Sequence, residues 1–329
     1  MNGVPLVDIN IAVYNHEAYL RQTIESVLSQ QTTFPFRLLI GDDCSTDGSI
    51  AILKEFEQKY PEQIKVIYQK KNLGLQSSER NGIVLLNNST AKYIALLDGD
   101  DYWSDTHKLQ KQIEFLELNP DYAICFHGVN EMGLDKQLQL SQLAPEPRTY
   151  TIDDLAVSWN FIHTVSVVFR NTFGKLPDWF GQSPAADYTL HMLNASTGKI
   201  YYMPEPMGVY RKFVGIWGTK TDLSKYINWC KTLALLIKHF DDEKILTPLR
   251  KQHAHWLLYI YENNAVDAVQ EQEPLVKEIL DRVIITSPDQ MARFKTKFLF
   301  LSLYKKLILS LRHNPIGNKL MAPGIKGDK

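Results

Sequence analysis

Tyr93-Ile94-Ala95-Leu96-Leu97-Asp98-Gly99-Asp100-Asp101-Tyr102-Trp103 is the stretch on which the reading of this chain turns. An apolar run of strand character ends abruptly in three carboxylates. Three acids within four residues repel one another unless a cation or a network of donors lies between them. Asp98 and Asp100 are two apart, so on an extended backbone they point to the same side. Gly99 between them lets the main chain bend and lets a bulky anion approach. Hard divalent cations take oxygen ligands, and Mg²⁺ is typically held by one or two carboxylates plus substrate phosphates. The stretch therefore reads as a metal-diphosphate site at the C-terminal end of a buried strand. The plainer alternative is a polar turn that caps the next helix.

Outward from this stretch, strands alternate with helices. Leu6 to Val13, Phe36 to Ile40, Ile64 to Tyr68, Lys92 to Leu97 and Tyr122 to His127 read as strands. Between them, Leu20, Ile24, Val27 and Leu28, then Ile50, Leu53 and Phe56, recur at helical spacing. A helix ending near Leu86 and another over Leu109 to Leu118 complete the series. Such alternation predicts an α/β fold, a mostly parallel sheet flanked by helices. In such sheets ligands bind beyond the carboxyl ends of the strands. Tyr14 follows the first strand, Asp42 and Asp43 the second, and Asp98 to Asp101 the fourth. Polar groups from three separate strand ends thus collect at one edge.

Several function classes are excluded. No G-x-G-x-x-G follows the first strand and no G-x-x-x-x-G-K-[ST] loop occurs, so a dinucleotide fold and a P-loop are ruled out. A net charge of -1 argues against a general nucleic-acid binder. Three cysteines, Cys44, Cys125 and Cys230, show no metal-ligand spacing and no disulfide framework. They suit a reducing, cytoplasmic setting. Met1 to Pro5 lacks the basic and apolar regions of a signal peptide, and no run of 18 uncharged apolar residues suggests a membrane span. A nucleotidyltransferase would want a glycine-rich basic loop where Tyr14-Asn15-His16-Glu17 stands. A D-x-D phosphohydrolase would want threonine or valine where Tyr102 stands.

Taken together, four segments resemble the inverting glycosyltransferases of family 2, which have a GT-A nucleotide-sugar fold. They are Ala12-Val13-Tyr14-Asn15, Gly41-Asp42-Asp43-Cys44-Ser45-Thr46-Asp47-Gly48, Asn72-Leu73-Gly74 with Arg80-Asn81-Gly82, and Asp98-Gly99-Asp100-Asp101-Tyr102-Trp103 followed by Lys108-Leu109-Gln110-Lys111-Gln112. Glu79 replaces the family's usual alanine. The likeness is close over residues 5 to 130 and looser to about 217. It implies a donor site built from Ala12, Tyr14, Asn15, Asp43, Arg80, Asp98, Gly99, Asp100 and Arg211. Tyr14 would stack on the base and Asp43 would accept from a base N–H. Asp98 would reach the ribose or a metal, and Asp100 would ligate Mg²⁺ or Mn²⁺. Tyr14 as a core aromatic and Arg80 as a surface ion pair are the plainer alternatives.

The second half is expected to supply the acceptor side. Gly128 to Pro147 reads as a polar hairpin or loop, Thr151 to Val157 as a short helix capped by Thr151, and Thr164 to Arg170 as a strand. His163 is either a pocket residue or a packed histidine. Asp187 opens a helix running to about Ser196, where the family places its catalytic base; the alternative is a helix cap. Tyr210-Arg211-Lys212-Phe213 has phenylalanine where relatives carry histidine, which either leaves a metal with fewer protein ligands or passes a phosphate role to Arg211 or Lys212. The expected division is a nucleotide-sugar domain over residues 1–220 and a helical C-terminal region over 221–329. Residues 291–312 carry six basic and no acidic side chains among aromatics and leucines, a composition suited to peripheral contact with the inner face of a membrane. The resulting expectation is a metal-dependent transferase moving a sugar, from a UDP-sugar, to a hydroxyl of a glycan or lipid-linked acceptor. A catalytically silent sugar-nucleotide-binding or scaffold protein is the alternative that Phe213 motivates.

Overall fold

A computed structural model describes residues 4–74, 80–212, 214 and 221–262. The chain divides into two compact units, residues 1–263 and 264–329, and the description below concerns the first. The expected helix over 273–284, the basic segment 291–312 and Phe213 lie outside the described residues.

Strand β1 (Val7–Val13) is buried along nearly its whole length and lies between two parallel neighbours, β2 (Phe36–Asp42) and β4 (Tyr93–Asp98). Strand β3 (Ile64–Tyr68) extends the parallel order beyond β2. Beyond β4 come β10 (Val168–Arg170), β6 (Tyr122–His127), β11 (Lys199–Met203) and β9 (Arg148–Tyr150). Strand β10 runs antiparallel to both β4 and β6, and β9 antiparallel to β11, so the sheet is mixed but mainly parallel. A second sheet has the order β5 (Tyr102–Trp103), β12 (Gly208–Arg211), β7 (Val129–Met132) and β8 (Leu138–Ser141). The β7–β8 hairpin is the expected polar connection.

Helices α1 (Glu17–Leu28), α2 (Ser49–Lys59), α3 (Asn81–Asn88) and α4 (Lys108–Leu118) pack apolar faces on the sheet, α1 through Leu20, Ile24 and Val27. Helix α5 (Ile152–Val157) starts in a capping box in which Thr151 and Asp154 satisfy each other's backbone donors, as the sequence suggests. Helices α6 (Ala186–Ala195), α7 (Asp222–His239) and α8 (Glu243–Glu262) follow, and α8 packs on both α7 and α5. The compact unit through residue 263 therefore takes in α7 and α8.

One expected strand is shorter than its alternating pattern suggests. Thr164–Ser166 forms a single 3-10 turn because the Ser166 N–H and hydroxyl both donate to the His163 carbonyl, and only Val168–Arg170 joins the sheet. Among the described residues no helix is long and apolar enough to cross a membrane.

Two polar side chains, Asp8 and Asn10, are buried within β1, and that of Asp8 is fully so. Its carboxylate accepts two hydrogen bonds from Arg37, its cross-strand partner on β2, and Oδ2 also accepts from the N–H groups of Thr90 and Ala91. This ties the loop before β4 to the edge of β1 opposite the candidate site. Removing it orphans two backbone donors and a half-buried guanidinium. Asp8→Ala should lower unfolding free energy by about 2–4 kcal/mol, read from the urea midpoint.

Candidate active site

The register of the parallel strands sets the site. Val13 lies opposite Asp42, and Ala12 lies opposite both Gly41 and Asp98. Pairing continues one residue further, with Asp43 N donating to Val13 O and Gly99 N to Ala12 O, each at 2.9 Å. The carboxyl ends of β2, β1 and β4 thus form one rim bearing Tyr14, Asp43 and Asp98. Tyr14 is 36% exposed there, so it is not a core aromatic.

The loops above the rim are stitched together by short polar side chains. Asn15 and Cys44 both adopt left-handed backbone conformations, with φ of 56° and 62°. Asn15 N donates to Ser45 Oγ and Asn15 Oδ1 accepts from Thr46 N. His16 N donates to Ser49 Oγ, Glu17 N to Asp47 Oδ2, and Gly48 N to Glu17 Oε2. The Asp43 carboxylate accepts from Leu73 N at 2.7 Å and Gly74 N at 3.1 Å, so it anchors the turn before residue 75. Asn81 Nδ2 donates to Gly41 O at 2.6 Å, close enough that a Cβ on Gly41 would fall 2.2 Å from Asn81 Oδ1. Arg80 is buried rather than on the surface, and donates to Ser183 O in the loop that leads to α6.

The acidic corner is the passage from β4 in the large sheet to β5 in the small one. Its main chain is held from beneath by Thr23 Oγ1, within 2.9 Å of Gly99 O and 2.7 Å of Asp101 O. Pairing of β12 with β5 brings Arg211 to the same corner. Arg211 N donates to Asp101 Oδ1, and its guanidinium to Asp100 O and Gln22 Oε1, while stacking 4.8 Å from both the Tyr19 and Tyr102 rings. Its charge is thus directed at main-chain and neutral acceptors. Among the described residues neither Asp98 nor Asp100 makes an ion pair. Burial, then the charges of Asp100 and Asp187, push Asp98 up to about 7. Burial and its two acidic neighbours hold Asp101 well above the ordinary carboxylate range. A Cβ at Gly99 would meet His16 Nδ1 at 2.6 Å, so glycine is required for the close approach.

Asp187 reaches this corner from the other half of the chain. It lies near enough to raise Asp98 and to interact with Arg80, His163 and His191. The N-cap of α6 is Ala185, so Asp187 is not the cap; its Oδ2 accepts from Asn160 Nδ2 at 2.8 Å. Thr232 on α7 accepts the Ala185 N–H at 3.0 Å and fixes this helix start. His163 is half-buried, with Nε2 3.9 Å from Glu131 Oε1 and its ring against Tyr210. Asn160, Thr232, Thr23 and Gln22 were not singled out by the sequence. Each acts through a distant partner and leaves no local pattern.

The donor set suits a divalent cation. Asp98 and Asp100 present carboxylates that make no direct ion pair among the described residues. Those residues hold no group of three or more His, Cys, Asp or Glu that would cage a metal alone. This is the arrangement in which a substrate supplies the remaining oxygens.

Residues 8–174 match the family model described as Glycosyl transferase family 2. The chain belongs to glycosyltransferase family 2. An uncharacterized protein of Mycobacterium tuberculosis is 34% identical over 219 residues, 65% of this chain and 61% of that protein. A teichuronic acid biosynthesis glycosyltransferase of Bacillus subtilis, TuaG, is 35% identical over 153 residues, 46% of this chain and 58% of that one. The chain thus spans less than two thirds of these relatives' length. Among solved structures, Staphylococcus aureus TarS residues 1–349 in complex with UDP superposes with a TM-score of 0.57 at 15% identity, covering 89% of this chain and 87% of that one. The fold is therefore shared although little sequence is.

The raised Asp98 gives a sign to the pH dependence. The folded chain keeps a proton that the unfolded chain releases near 3.8, so stability falls as pH rises from there toward about 7. A cation bound at Asp98 would displace that proton. Thermal-shift measurements should show stabilisation by Mn²⁺ or Mg²⁺ that is larger at about pH 8 than at about pH 5. Equal shifts at both would remove Asp98 from the cation site.

Proposed function

We propose that this chain transfers a sugar from a UDP-sugar, with inversion, to a hydroxyl of a glycan or lipid-linked acceptor. The observation that carries the reading is the shared rim of Tyr14, Asp43 and Asp98, faced by Asp187 from α6. Tyr14, exposed at the rim, offers a stacking face to the base. Asp43 keeps lone pairs beyond the two it gives to the 73–74 turn, and with them accepts a base N–H. Ala12, Asn15 and Gly99 keep the floor narrow and admit the diphosphate. Asp98 and Asp100 would hold Mg²⁺ or Mn²⁺, which when bound would supply Lewis-acid stabilisation of the leaving diphosphate. Arg211 serves the donor through the corner it braces, and Arg80 through the loop it ties to α6.

Asp187 accepts the proton of the acceptor hydroxyl as that oxygen attacks the anomeric carbon from the face opposite UDP. The new glycosidic bond forms as the bond to the diphosphate oxygen breaks, and UDP leaves with the electron pair. Asn160 orients the carboxylate through one oxygen and leaves the other to the substrate. The name of TuaG, a teichuronic acid enzyme, supports a glycan acceptor.

The experiment is UDP release from a panel of UDP-sugars with Mn²⁺, run with and without acceptor glycans. Asp187→Asn should lower transfer by about 10²–10⁴-fold while UDP binding by calorimetry is retained. Asp100→Ala should abolish the metal dependence of both. Wild-type UDP binding with no turnover on any acceptor would favour the silent sugar-nucleotide-binding protein.

A further inference from the structure

Past α5 the chain runs Val157-Ser158-Trp159-Asn160-Phe161, and this loop joins two features not yet connected. One is Asn160, whose amide donates to Asp187 and accepts from Ile162 N at 3.2 Å. The other is Trp159, a large aromatic left 44% exposed beside Val157, itself 66% exposed. An isolated exposed apolar side chain is ordinary, but this indole is built into a rigid cluster. Trp229, almost fully buried on α7, stacks against it at 5.2 Å and 18°. Trp256 on α8 meets it edge to face at 4.5 Å. The loop backbone is clamped as well, because Gln252 Nε2 on α8 lies 2.6 Å from Ala156 O and 3.0 Å from Ser158 O.

The cluster leads back to the acidic corner. Tyr188, next to Asp187, packs on Trp229 with ring centroids 4.5 Å apart, so one indole separates the Tyr188 ring from Trp159. A half-exposed indole braced by Trp229 and Trp256, one residue from the partner of Asp187, suits a ligand with a flat apolar side and polar edges. A pyranose has that shape: its axial C–H groups form an apolar face, and its hydroxyls stay in water around the rim. Preorganising the indole removes the ordering cost that such a weak contact would otherwise bear. A lipid surface fits less well. Residues 152–161 contain two acidic side chains, Asp153 and Asp154, and no basic one, which disfavours an anionic interface.

We propose that Trp159 is the platform for the acceptor: a pyranose ring stacks on its indole and presents the hydroxyl that Asp187 deprotonates. This rests on Asp187 as the base and adds the substrate's shape, a saccharide that carries an apolar ring face next to the reacting hydroxyl. Trp159 binds and orients the acceptor and takes no part in proton transfer.

Saturation-transfer NMR tests it on the full chain with UDP and Mn²⁺ present. The probes are the methyl β-glycosides of glucose, galactose, N-acetylglucosamine and N-acetylgalactosamine. The expected result is transfer to ring C–H protons of at least one glycoside. That binding should weaken about five- to tenfold in Trp159→Ala. Trp159→Leu, which keeps apolar cover over Trp229 but removes the flat face, should lose the signal too. Unchanged UDP affinity in the Trp159 variants reports an intact fold. Persistence of the signal in a Trp159 variant that binds UDP overturns the platform. So does silence from every glycoside on the wild type, or Trp159-dependent sedimentation with phosphatidylglycerol vesicles in place of sugar binding. Full transfer activity in Asp187→Asn sinks the base assignment instead, and leaves the loss of glycoside binding in Trp159→Ala to be read on its own.

Discussion

Asp98, Asp100 and Asp101 are forced together at the end of a buried strand, and the surrounding structure shapes their turn without cancelling its charge. Thr23 supplies a neutral hydroxyl to two carbonyls. Arg211, the cation most closely applied to the corner, spends its guanidinium on the Asp100 carbonyl, on Gln22 and on two tyrosine rings. A corner neutralised by direct ion pairs would be more stable and would have nothing left to attract a cation. Burying these carboxylates, and then leaving them exposed to one another, is a standing cost, visible in the upward shifts of Asp98 and Asp101. Such conflict between stability and local charge is expected where a ligand later supplies the missing counter-charge.

How far this was legible from the sequence differs along the chain. Strands β1 to β4, strand β6 and the helices between them follow from apolar spacing, because there local pattern and burial agree. The rim was legible for the same reason: a polar residue after a buried parallel strand has only one edge to occupy. The small sheet was not. Tyr102–Trp103 is a two-residue strand whose existence depends on β12, more than a hundred positions later. The 164–170 segment alternates like a strand, yet Ser166 competes for the His163 carbonyl and turns the first half into a 3-10 turn. Asn160, Thr232 and Gln22 were invisible because their partners lie 27, 47 and 189 positions away.

The C-terminal helices bear on the site through the same long-range contacts. Helix α7 gives Thr232 to the start of α6 and Trp229 to the aromatic cluster; α8 gives Gln252 and Trp256 to the loop carrying Asn160. Read by periodicity, these helices are an appended bundle. Read by contact, they brace the half of the site that holds Asn160 and Asp187.

That bracing explains an oddity at the start of α6. A carboxylate near a helix start commonly serves as its cap, with its oxygens bound to backbone N–H groups. Here the cap position is Ala185, which has no side-chain acceptor, and the hydroxyl of Thr232 takes the Ala185 N–H instead. Asp187, two residues on, is relieved of capping while it keeps the favourable field of the first helical turn, which partly offsets repulsion from Asp98. Asn160 occupies one of its oxygens with a neutral donor, and Arg80, tied to Ser183, supplies positive charge without a direct bond to it. A carboxylate oriented by one amide and committed to no cap retains lone pairs pointing outward, and an acceptor hydroxyl needs that vacancy if its proton is to leave as the new bond forms.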